Sequence, residues 1–176
     1  MATVRRRKVK LKKYRLTAQD IELIVADDFN FRQNIIVPNV HWGLGLLYEA
    51  DMVVLRKSGY AIEVEIKVTS QDIKADLKKR HHHDSNLFRE LWFAVPAKLA
   101  DHPDIPSRAG IISLEWHPYR GEYMCVRTRG AKANTKATRW TDAIKAKLTR
   151  LGCMRTWGLK AHLKKLRRDT RTIEED

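Results

Sequence analysis

The sequence predicts an α/β domain in which a helix precedes three strands, a second helix and a further strand, with a basic helical extension at the C-terminal end. Three observations predict it. Apolar residues recur at helical spacing in some segments and at every second position in others. The strand-like runs are short, β-branched and bounded by Gly, Pro or charge. The 176 residues, 43% of them hydrophobic, suit one domain with extensions and a core of ordinary size.

Residues 1–16 read as a flexible basic arm, too charged to pack. In LTAQDIELIVADDF, Thr17 is the N-cap and Asp20 takes the N3 place of a capping box. Ile21, Ile24, Val25 and Phe29 follow at helical spacing, so a helix spans about 18–29. NIIVPNV is a short strand stopped by Pro38, and HWGLG is a loop whose Trp42 packs rather than stacks on a base. Two strands follow over roughly 47–56 and 60–69, joined by Lys57-Ser58-Gly59, with Gly59 suited to a positive φ. If Arg56 and Tyr60 flank a three-residue loop, paired residue numbers sum to 116. That register sets Asp51 across from Glu65, and Glu49 across from Lys67.

A helix with Ser70 as N-cap runs to about residue 80, and His81, His82 and His83 read as an exposed polar run that ends it. LWFAVP (91–96) and AGIISLE (109–115) are strands, and EYMCVRTRG is a strand at an edge. Helical spacing returns from Thr141. Ile144, Leu148 and Leu151 share a face, and after Gly152 so do Leu159, Leu163 and Leu166, with Lys and Arg on the other faces. The division is therefore a basic arm (1–16), an α/β domain (17–130) and a basic helical extension (131–176).

Charge follows the same division. The net charge of +14 is +8 over residues 1–15, −2 over 16–130 and +8 over 131–176. Solubilising tails are one explanation; phosphate-binding flanks around a central site are the sharper one. The residues expected to contact nucleic acid are Arg5, Arg6 and Arg7 in the arm and Lys160, Lys164 and Lys165 in the extension. Lys74 and Lys78, at i and i+4 on the second helix, join them. No run approaches 18 consecutive apolar residues, so no membrane span is expected, and the basic start lacks the apolar segment of a secretory signal. Cys125 and Cys153 are expected as free thiols in a reducing compartment. Their spacing with His102 and His117 does not suit zinc.

The residues that carry chemistry lie on the strand after Gly59. Ile62, Val64, Ile66 and Val68 face one side, and Glu63, Glu65 and Lys67 the other. In the expected register Glu49 and Asp51 share the acidic face, with Lys67 alone to offset the charge. Two like charges near 6 Å repel by roughly 3 kcal/mol at an effective dielectric of about 20. Either this is a solvated outer face, where repulsion is screened, or a divalent cation sits among the oxygens.

Asp51, then thirteen residues, then Glu65-Ile66-Lys67, on consecutive strands between two helices, resembles the PD-(D/E)xK nuclease superfamily over about residues 17–96. The stretch EIKVTSQDIKAD…LWFAVP is similar to bacterial and phage-borne members, some of them thought to act in DNA repair. A Pro often precedes the first Asp in that motif; here the residues are Glu49-Ala50. The resemblance implies a restriction-endonuclease-like core, with a mixed central sheet flanked by helices, and Mg²⁺ or Mn²⁺ as cofactor. Carried over by position, Asp51 and Glu65 would ligate the metal with the Ile66 carbonyl, and Lys67 would orient the attacking water. Glu22 on the first helix and Glu49 are the further candidate ligands. The expectation is a metal-dependent deoxyribonuclease hydrolysing phosphodiester bonds in DNA, cytoplasmic, in bacterial or phage DNA processing or repair. Its partner is the DNA phosphate backbone, and a homodimer or larger nucleoprotein or phage assembly is the candidate higher order. The alternative is the same fold used without cleavage, as a DNA-binding or nucleoprotein and virion assembly module.

Overall fold

The Thr17–Asp20 capping box forms in the computed structural model, which describes residues 11–41, 44–46, 48–77, 83 and 85–174. Asp20 N donates to Thr17 Oγ1 at 3.2 Å and Thr17 N to Asp20 Oδ2 at 2.8 Å. The helix they open is α1 (Ala18–Asp28). Three strands follow, β1 (Ile35–Val40), β2 (Ala50–Leu55) and β3 (Ala61–Ile66), then α2 (Ser70–Leu77) and β4 (Phe88–Pro96). Beyond this core come β5 (Gly110–His117), β6 (Glu122–Arg129) and α3 (Asp142–Glu174). The order helix, three strands, helix, strand is the one expected from the sequence.

The strands form one mixed sheet in the order β1-β2-β3-β4-β5-β6. β3, β4 and β5 are parallel to one another, and the remaining pairs are antiparallel. The β2–β3 hairpin has the expected register, with Met52 opposite Val64 and Leu55 opposite Ala61, each pair summing to 116. Gly59, at φ 84°, makes its turn. β6 pairs with β5 alone and is an edge, as expected.

The sequence reading differs from the structure at several boundaries. Pro38 does not stop β1, which continues to Val40. β1 lies at an edge and pairs only with β2, so the missing Pro N–H costs no ladder bond on its open side. β4 starts at Phe88 because Phe88 and Glu90 pair with Ala61 and Ile62. The cap of α2 is Thr69 rather than Ser70: Asp72 N donates to Thr69 Oγ1 at 3.2 Å, and Thr69 N to Asp72 Oδ2 at 2.8 Å. Ser70 Oγ instead meets His102 Nε2 at 2.6 Å. Helix α3 runs unbroken through Gly152, where a Cβ would stand 3.2 Å from Val37 Cγ2. The glycine lets the helix approach β1 and does not end it. Trp42, His81 and His82 lie outside the described residues.

The sheet has two dissimilar faces. On one, Met52, Val54, Ile62, Val64, Trp92, Ala94, Ile112 and Leu114 pack against Ile21 and Val25 of α1 in a continuous apolar core. The other face carries two separate apolar patches. Val37, Val53, Leu55 and Ala61 pack with Trp140 and Leu148 of the α3 segment. Leu91, Phe93 and Val95 pack with Ile73 of α2. Alternation along β3 sends Glu63 and Glu65 to this second face, into the seam between the patches. No described helix is long and apolar enough to cross a membrane.

Candidate functional site

The acidic face of β3 is interior. Glu63 and Glu65 are 0% exposed and Lys67 is 6% exposed. The solvated-face explanation therefore fails, and so does screening by water. Buried charges cost several kcal/mol each unless they are paired and hydrogen-bonded, and here they are. Lys67 Nζ lies 3.0 Å from Asp51 Oδ2, 2.5 Å from Glu65 Oε2 and 3.4 Å from Asp76 Oδ1. Ile66 N also donates to Asp51 Oδ2, at 2.8 Å. Asp51 and Glu65 thus share one side of the sheet and converge on a single ammonium.

A second cation completes the cluster. His83 Nδ1 is 2.8 Å from Glu63 Oε1, and Nε2 is 2.6 Å from Asp76 Oδ2. Its ring stands edge-on to Tyr48 and Phe93, with centroids 5.5 and 6.1 Å apart. At φ 57° His83 takes a left-handed conformation that turns the chain. The sequence placed it in an exposed run, yet it is 3% exposed. His83, Asp76 and Glu63 were not among the expected ligands, although strand alternation had placed Glu63 on the correct face. Asp76 comes from the buried side of α2, seven residues before His83.

The electrostatics follow from this packing. Burial pushes the Glu65 carboxyl up to about 8, with Asp51 adding to it and Lys67 and His83 opposing it. Burial works against the Lys67 ammonium, but Glu65 and Asp51 outweigh it and raise its pKa. Burial likewise opposes the His83 imidazolium, and the hydrogen bonds to Asp76 and Glu63 carry its pKa up to about 10. Burial and the neighbouring Glu63 raise that of the Tyr48 hydroxyl, which stays protonated. Four acids (Asp51, Glu63, Glu65, Asp76) face two bases (Lys67, His83), leaving an excess of two negative charges when all are ionised. One divalent cation has the charge that closes this gap, and carboxylates are the donors such ions take. Glu63, Glu65 and His83 offer ligand atoms within 4.8 Å of one another and could hold a metal ion.

The other expected residues are distributed differently. Glu22 on α1 is half-buried; burial raises its pKa, Arg155 lowers it and the Asp51 charge raises it, so it lies within electrostatic reach of the cluster. Glu49 is exposed just before β2 and makes no hydrogen bond or ion pair among the described residues, because the β2–β3 ladder closes at Met52 and Val64. Lys74 is exposed on α2. Lys160, Lys164 and Lys165 are exposed on distal α3, with Lys160 Nζ 4.9 Å from the Trp157 ring centroid. Arg155 donates to the Asn39 carbonyl and so pins α3 to β1. Arg5, Arg6, Arg7 and Lys78 lie outside the described residues. Cys125 and Cys153 are free.

A Ser70–His102–Asp104 arrangement mimics a nucleophilic triad but has the wrong proton. Asp104 N donates to His102 Nδ1 at 3.3 Å, so Nε2 carries the hydrogen and Ser70 Oγ accepts it at 2.6 Å. A base needs the reverse tautomer, and Asp104 Oδ2 is 3.8 Å from Nδ1.

No protein-family model matches the chain, and no curated protein matches its sequence. Among solved structures it is similar to the SPO1766 protein of unknown function from Silicibacter pomeroyi. The TM-score is 0.60 at 17% identity, over 83% of this chain and 90% of that one. That likeness concerns the fold: a six-stranded mixed sheet flanked by helices, with a C-terminal helix.

Proposed function

We propose that this chain is a metal-dependent deoxyribonuclease with a restriction-endonuclease-like core. The observation that carries the proposal is the meeting of Asp51, Glu65 and Lys67 on one side of the β2–β3 hairpin, beside a crossover helix, with Lys67 Nζ within 3.0 Å of both carboxylates. Asp51, whose side chain is 33% exposed, and the deeper Glu65 would hold Mg²⁺ or Mn²⁺ with the Ile66 carbonyl. When bound, such an ion would lower the pKa of a coordinated water and offset charge on a phosphoryl oxygen. Lys67 keeps its proton, because the carboxylates around it raise its pKa; it orients water and stabilises phosphate charge, and does not act as the base. His83 serves as a fixed counter-charge that lets Glu63 and Asp76 remain buried beside the site.

Full burial of Glu65, already paired with Lys67, favours one second reading: a retained but silent site in a DNA-binding or assembly module. Incubation of plasmid, single-stranded and branched DNA with Mg²⁺, Mn²⁺ or EDTA separates the two. The nuclease cuts at least one substrate with metal and none in EDTA, and Asp51→Ala and Lys67→Ala each lose about 100-fold or more. If the wild-type protein cuts nothing while all three proteins bind DNA alike, the silent module stands instead.

A further inference from the structure

The segment 131–140 crosses the N-terminal ends of the three parallel strands. Lys132 N donates to Arg108 O at 2.9 Å, Asn134 N to Arg89 O at 2.7 Å, Thr138 N to Asn86 O at 3.2 Å and Trp140 N to Gly59 O at 2.8 Å. The Asn134 side chain donates to Phe88 O at 3.3 Å, and Trp140 Nε1 to Leu87 O at 2.7 Å. Main-chain bonds to four separate places hold this strap, so its lysine side chains are not needed to keep it there. Lys132 and Lys136 project from it, exposed, above a groove of about 500 Å³.

The chemistry of the groove is one-sided. Arg108, Lys132 and Lys136 line it with Ser85, Asn86 and Thr135, and no Asp or Glu is among the described lining residues. Among the described residues no carboxylate pairs with any of the three cations. Cations together with hydroxyl and amide groups are the partners of a phosphate oxygen. No aromatic ring is among the described lining residues, so these offer no platform on which a base could stack. It is also joined to the acidic cluster: Arg108 Nη2 donates to the His83 carbonyl at 2.6 Å, and the His83 ring holds Glu63 and Asp76.

We propose that the groove between the 131–136 strap and Arg108 binds a backbone phosphate of a DNA strand and anchors that strand without reading its sequence. This deepens the nucleic-acid reading of the neighbouring cluster and rests on it for the identity of the ligand. A phosphate held here is gripped by the residue that also donates to the His83 carbonyl, so Arg108 links the anchor to the acidic cluster.

Binding and cutting are measured separately. Fluorescence anisotropy of a labelled duplex is recorded in EDTA, where no cutting occurs, for the full chain and for Lys132→Ala/Lys136→Ala. The double variant is expected to bind roughly tenfold more weakly, and its slope of log affinity against log salt to flatten by about 1, the release expected for one phosphate. Inorganic phosphate at high concentration displaces DNA from the wild-type protein more readily than from the variant. Thermal unfolding of the variant stays unchanged, because the strap is held by its main chain. Affinity within twofold of wild type with an unchanged salt slope overturns the groove, whatever the cutting assay gives. A wild-type protein that cuts nothing, combined with weakened binding by the double variant, retires the nuclease reading and leaves the groove standing.

Discussion

Lys67 is in contact with three carboxylates, those of Asp51, Glu65 and Asp76. Lys67→Ala is expected to lower the unfolding free energy in EDTA by about 3–5 kcal/mol, the cost of leaving buried charge uncompensated. Urea unfolding checks this, and millimolar Mn²⁺ should restore part of the loss; a loss below 1 kcal/mol would mean that the cluster neutralises itself with protons. The pH dependence has a definite sign. Glu65, raised from 4.5 to about 8, holds its proton more tightly in the folded chain than in the unfolded one. Its contribution is complete below 4.5 and is lost as pH rises to 8. His83, raised from 6.5 to about 10, acts in the same sense: full below 6.5, lost as pH rises through 10. Metal-free protein is therefore expected to lose stability between pH 5 and 9 in urea titrations, and Mn²⁺ should oppose the loss, since an ion replaces the Glu65 proton. Stability that rises across that window would refute the cluster's electrostatics. Asp51, Glu65 and Lys67 were legible in the sequence because strand alternation assigns a face, and they come together once Lys57-Ser58-Gly59 is taken as a three-residue loop, a register that the structure settles. His83 and Asp76 were not: one lies in a left-handed turn and the other on a short helix, and neither position belongs to a period that points at β3.

At the scale of elements, a close fit lies where β5 begins. A Cβ at Gly110 would stand 2.5 Å from Trp92 Cε3, inside a ring that is itself buried. Gly110→Ala must displace the indole, whose Nε1 donates to Glu90 at 2.8 Å. The expected cost is about 1–3 kcal/mol, with a change in tryptophan fluorescence of the folded state. Unaltered fluorescence and an unaltered urea midpoint would mean that the β4–β5 spacing yields freely. The elements themselves were legible in kind and order. Their ends were less so, for local reasons. Pro38 breaks an inner strand but not an outer one, and position in the sheet is invisible to a local reading. Phe88 and Glu90 precede the apolar run LWFAVP and are seen to belong to β4 only through their partners on β3. The reason for a glycine at 152 is visible only once Val37 is seen beneath it.

For the molecule as a whole, α3 changes role along its 33 residues. Its start buries Leu148 and is held by Arg155 on the Asn39 carbonyl, whereas Trp157, Leu159 and Leu163 are 68%, 59% and 44% exposed. A chain ending after Arg155 should keep its unfolding free energy within about 1 kcal/mol, since none of the described residues beyond it is buried in the core. It should bind DNA more weakly and with less salt dependence, because Lys160, Lys164 and Lys165 are gone. A collapse in stability would show that the distal helix folds back on the domain. The assembly of the cluster from β2, β3, α2 and the turn at His83 has a further effect during synthesis. A ribosome that has released only the hairpin exposes Asp51, Glu65 and Lys67 to water, with Asp76 and His83 still to be made. The half-made polypeptide has no dry seam and no second counter-charge, so whatever chemistry the finished cluster performs is withheld from the cell until the last of its contributors has docked.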